Sequence, residues 1–76
     1  MNRIRRKALA EIQAKIEELQ NDLQVLLEEE EEYRDNMPEN LQSSERYEKA
    51  DTACDNISSA MDGLQEAIDY IMEATE

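Results

Sequence analysis

Apolar residues recur along this chain at spacings of 3 and 4. In the first half they fall at Leu9, Ile12, Ile16, Leu19, Leu23 and Leu26, and the same steps lead on through Glu30 to Tyr33. In the second half they fall at Tyr47, Ala50, Cys54, Ile57, Met61, Leu64, Ile68 and Ile71. This alternation is the seam of a coiled coil, in which heptad positions a and d meet a partner helix. With Leu9 at a, the first half has Leu9, Ile16, Leu23 and Glu30 at a, and Ile12, Leu19, Leu26 and Tyr33 at d. The second half has Tyr47, Cys54, Met61 and Ile68 at a, and Ala50, Ile57, Leu64 and Ile71 at d. When the two ladders are matched from opposite ends, the residue numbers of every pair add to 80. The pattern predicts an all-α fold: an antiparallel two-helix hairpin that pairs with a second copy into a four-helix bundle.

The expected hairpin fills residues 1–76 as a single domain, with helix 1 over about 3–35, a connection over 36–43 and helix 2 over about 44–75. Pro38 ends the first helix, because the residue before a proline avoids helical angles. Asp35, Asn36 and Asn40 are turn formers. Ser43 or Ser44 caps the second helix, with Glu45 and Glu48 at its positive end. Leu41 is placed to fold over the end of the seam beside Tyr33 and Tyr47. Glu30 alone breaks the apolar rule. Its stem is expected over Ala50, its carboxylate toward Lys49 or solvent.

The flanks of the seam differ. On the second helix position g is Ala53, Ala60, Ala67 and Ala74, a ribbon repeating every seven residues. Alanine favours helix and packs closely within a hairpin. It also lets another helix approach, as in a four-helix bundle. Val25 and Leu27 lie off the a/d seam and are expected at the surface. These six residues form the candidate interaction surface. Gly63 falls outside the seam, where it costs roughly 1 kcal/mol relative to alanine.

Charge supports the fold and narrows the partners. Twenty acids against eight bases give a net charge of −12. Such a chain is repelled by nucleic acid and anionic membranes, which disfavours direct contact with either. A homodimer is expected, and a basic host protein is a further candidate partner. Four bases lie within residues 3–7, and the hairpin is expected to set them beside Asp69, Glu73 and Glu76. The acidic run 28–32 is expected beside Arg46 and Lys49.

Candidate chemistry is sparse. With no histidine, the commonest general base and zinc ligand are missing. Cys54 sits on the apolar stripe, with no base to activate it. One glycine cannot build a phosphate loop. Residues 51–56 lack the alternating oxygens of a calcium loop. The composition argues against an enzyme, and no cofactor, catalytic residue or metal site is expected. Asp55, Asp62, Glu66, Asp69 and Glu73 lie at b and f, the outward face of helix 2. Such a stripe keeps a coiled coil soluble; on a rigid rod it can also imitate a phosphate backbone and occupy a basic groove. No apolar run reaches the ~18 residues of a membrane span, and no signal-peptide core follows the basic start, so a cytoplasmic protein is expected.

The stretch 31–47, Glu-Glu-Tyr-Arg-Asp-Asn-Met-Pro-Glu-Asn-Leu-Gln-Ser-Ser-Glu-Arg-Tyr, resembles a motif in short acidic proteins of Firmicutes, phages and mobile elements. In that group YRDNMPENLQxSERYE joins two helices rich in Glu and Ala. The resemblance covers about seventeen residues closely and the helices loosely. It implies the hairpin and a mobile-element origin, and no particular activity. Members often carry glycine where this chain has Ser43, which puts the local turn in question. Asn36, Pro38, Glu39, Asn40 and Leu41 form a candidate recognition tip, or a fixed corner between helices.

Overall fold

A computed structural model describes residues 1–76 as two long helices and a short corner, with no strands. Helix α1 spans Arg3–Asp35 and helix α2 spans Glu45–Ala74, with the 3-10 turn Glu39–Leu41 between them. They pack against each other as a hairpin. The result is a rod 59 Å long and 15 by 12 Å across, with a radius of gyration of 17.4 Å. A compact globule of this length would have about 11 Å.

Both helices start on side-chain caps. The Asn2 carboxamide oxygen accepts from the Arg5 N–H at 2.8 Å, and the Ser44 hydroxyl accepts from the Tyr47 N–H at 3.3 Å. Each satisfies a backbone donor that the first helical turn leaves without a partner. The Ser44 hydroxyl also donates to the Leu41 carbonyl, tying the corner to the start of α2. α1 ends at Asn36, whose N–H donates to the Glu32 carbonyl at 2.9 Å. Pro38 then takes extended angles, with ψ at 148°, and turns the chain away. No residue has a positive φ, so Ser43 sits in ordinary backbone and the corner makes no steric demand for glycine.

Only Leu27, Met37, Ala50, Cys54 and Ile68 are buried. On α2 the inward residues follow the expected a/d ladder: Ala50, Cys54 and Ile68 are buried, and Ile57, Met61, Leu64 and Ile71 are half-buried. On α1 the ladder is corrected. Leu9, Ile16 and Leu23 at a are half-buried as expected, but the second inward row is e, not d. Leu27 is buried, and Gln13, Gln20 and Arg34 are half-buried. The d residues Ile12, Leu19, Leu26 and Tyr33 are exposed at 46, 52, 53 and 49%. At 3.6 residues per turn this is a rotation of about 50° from the a/d seam. The turn buries Leu27 and lets long polar side chains reach the polar edge of α2.

Candidate functional site

Two cross-helix hydrogen bonds define one edge of the hairpin. Gln20 donates to the Gln65 carboxamide oxygen at 3.1 Å, and Arg34 donates to Asp51 at 2.9 Å. All four residues occupy heptad position e, so the e edges of the two helices adjoin. The opposite edge must then bring row d of α1 beside row g of α2. Two surface hollows agree: Tyr33 at d and Arg46 at g line both. Since α1 is rotated, its d residues point outward on this edge, next to the alanine ribbon. In the hairpin register Leu26 stands beside Ala53, Leu19 beside Ala60 and Ile12 beside Ala67. The face is apolar over most of its length, with large side chains on one helix and small ones on the other.

The candidate interaction residues divide on this geometry. Ala60 and Ala74 are exposed, and Ala53 and Ala67 are half-buried. Val25 is exposed at 54%. Leu27 is not at the surface: it is buried in the seam, because α1 turns its e row inward. Sequence periodicity missed the row that takes its place, Ile12, Leu19, Leu26 and Tyr33, by assigning it to the core. The signal for it was Leu27, which widens the apolar stripe of α1 beyond its a/d seam at mid-rod. A Cβ added at Gly63 would meet nothing within 4 Å, so no neighbour within the chain requires glycine there.

The corner forms a shallow hollow. Glu29, Glu32 and Tyr33 of α1 line it, with Asn36, Met37, Pro38, Leu41 and Arg46. Of the five tip residues Asn36, Pro38 and Leu41 contribute, while Glu39 and Asn40 do not. Leu41 lies beside Tyr33, and Met37 is buried at 7% exposure, packed under the corner where no periodic signal marked it.

The expected charge pairing at the two ends is absent. Arg3, Arg5, Arg6 and Lys7 make no ion pair with Asp69, Glu73 or Glu76, and no acid of the run 28–32 pairs with Arg46 or Lys49. Lys49 instead meets Glu45 at 3.3 Å, one turn back on its own helix. Exposed pairs are worth only ~0.2–1 kcal/mol, too little to hold long side chains in place. Arg34 bridges Asp35 and Asp51, each at 2.9 Å. Those hydrogen bonds hold its guanidinium above its ordinary pKa.

Asp55, Asp62, Glu66, Asp69 and Glu73 are all exposed, away from the apolar face. Asp69 accepts from Gln65 at 3.0 Å. No group of three or more metal-binding side chains converges anywhere. Cys54 is buried, and burial raises its thiol pKa, which favours the unreactive protonated form. No helix is long and apolar enough to cross a membrane.

The fold and its surface define a helical-hairpin rod with one apolar and one acidic side. No protein-family model, curated protein or solved structure matches the chain.

Proposed function

We propose that this hairpin is a non-enzymatic protein-interaction module of phage or mobile-element origin. In this reading its apolar face binds a second copy, closing a four-helix bundle. The observation that carries it is the row Ile12, Leu19, Leu26 and Tyr33, left about half exposed beside the alanine ribbon. In a four-helix bundle each helix aims its apolar stripe at the bundle axis, between its two neighbours. The rotation of α1 has that sense. The open space at Gly63 fits the same role, since a mid-helix glycine has a cost and no use within the hairpin. A core of five buried residues is also small for a domain to stand alone.

Light scattering and sedimentation at micromolar concentration test the reading. A dimer is expected, and Leu19→Glu with Leu26→Glu is expected to give a helical monomer. A wild-type monomer at high micromolar concentration overturns it.

A second reading rests on the exposed acids of α2. On a rod of 59 Å they form a rigid carboxylate stripe that can occupy the basic groove of a nucleic-acid-binding host protein. Replacing Asp62, Glu66, Asp69 and Glu73 with Gln is then expected to abolish capture of such a protein. Unchanged binding at low salt counts against this reading.

A further inference from the structure

We infer that the second copy lies antiparallel to the first, face to face, with Arg5 of each seated in the acidic hollow at the other's corner. The inference rests on the reading that the apolar face binds a second copy, and it adds the orientation.

The face has a centre. On α1 the row Ile12, Leu19, Leu26 is centred on Leu19. On α2 the ribbon Ala53, Ala60, Ala67 is centred on Ala60. The hairpin register sets Leu19 opposite Met61, the neighbour of Ala60, so both rows are centred at one height on the rod. A two-fold axis across the rod at that height carries the patch onto itself, as a self-complementary interface requires. It runs the rods antiparallel and stacks α1 on α1 and α2 on α2. Ile12 then meets Leu26 of the second copy, Leu19 meets Leu19, and Ala53 meets Ala67. Alanine against alanine, with Gly63 on the same side, allows the closer end of the 8–10 Å helix spacing.

Charge selects the same orientation. Arg5 occupies position d, in line with Ile12 and Leu19, and makes no ion pair within the hairpin. The two-fold brings it over Tyr33 of the second copy, between that copy's Glu29 and Glu32. Those three residues line the corner hollow. A guanidinium there meets two carboxylates and an aromatic ring on the α1 side of the hollow, with Arg46 on the α2 side. Lys15 comes opposite Asp22 of the second copy, twice per dimer. Parallel rods would instead stack α1 on α2, keep both corners at one end of the bundle, and leave Arg5 at the far end from the second copy's hollow.

The test is a distance measurement between nitroxide labels. Labels at Lys7→Cys, on the outer face, are attached in a Cys54→Ala background that light scattering shows to be dimeric. The antiparallel dimer places them about 36 Å apart along the rod, at 1.5 Å per residue from the axis at Leu19. Parallel rods place them at one height, within the bundle width of roughly 20 Å. The long distance supports the inference. The short one overturns it while the dimer stands. A monomeric wild-type protein overturns the apolar-face reading and the orientation together. As a second measurement, Arg5→Glu is expected to weaken the dimer about tenfold at low salt, and adding Glu32→Arg to restore it. Failure of that rescue overturns the seating of Arg5.

Discussion

Gln20 donates a hydrogen bond to Gln65 across the hairpin, 45 residues further along the chain, at 3.1 Å. Two heptads closer to the corner the same relationship recurs, with Arg34 and Asp51 in the same heptad positions. In both pairs the residue numbers add to 85, so the helices keep one register between them. The two bonds also decide which edge of the rod is polar, and hence which is not.

Arg34 and Asp51 are expected to couple, since their bond spans the two helices. A double-mutant cycle with alanine at both positions should give ~0.2–1 kcal/mol, falling in high salt. The matching cycle on Lys7 and Glu73, which form no ion pair, should give none. Chemical denaturation of the four proteins of each cycle measures both.

Leu26 and Leu27 are adjacent and face opposite fates. Leu27→Ala opens the seam beside Cys54 and is expected to destabilise the hairpin by about 2–4 kcal/mol. Leu26→Ala removes a half-exposed side chain and should cost the isolated hairpin under about 1 kcal/mol. Denaturation at a concentration low enough to hold the monomer compares them. A larger loss at Leu26 than at Leu27 would return α1 to an a/d seam.

Gly63→Ala should act with two signs. With open space at that site, alanine is expected to stabilise α2 by up to about 1 kcal/mol. If a second helix approaches there, the added methyl should loosen the dimer. Thermal unfolding of dilute protein reads the first effect and sedimentation the second.

Cys54 ties stability to pH. Burial raises its pKa in the folded state, so the folded hairpin holds the thiol proton more tightly than the unfolded chain. That contribution is complete below the ordinary thiol value of ~8.5 and is lost as pH rises from there through the raised folded value. Denaturation midpoints should fall above about pH 8.5 in the wild type and less so in Cys54→Ala. Thiol reagents should react slowly with the native protein and quickly in denaturant.

The two helices and the seam side of α2 were legible because Ala50, Cys54 and Ile68 repeat at heptad spacing. The cap at Ser44 was legible because serine ahead of Glu45 and Glu48 has a local reason to start a helix. The facing of α1 was not. Beside row a either d or e could turn inward, and counting apolar residues favours d, with Ile12, Leu19, Leu26 and Tyr33, over e, with Leu27 alone. Which row turns inward depends on what α2 offers across the gap, here the polar partners Gln65 and Asp51. The site followed the same limit. Ile12, Leu19 and Leu26 were visible as a row, but that they border the alanine ribbon depends on the rotation. Met37 carried no periodicity, and ion pairs between complementary ends are too weak to be fixed by complementarity.

The corner has a consequence for variation. Since every φ in the chain is negative, none of residues 36–44 is held there by a backbone shape that other L-amino acids resist. Apart from Pro38, the buried Met37 and the Ser44 cap, its side chains are free to diversify without rebuilding the turn. The corner is thus a tolerant graft position, where a binding sequence can be exchanged at one end of an unchanged rod.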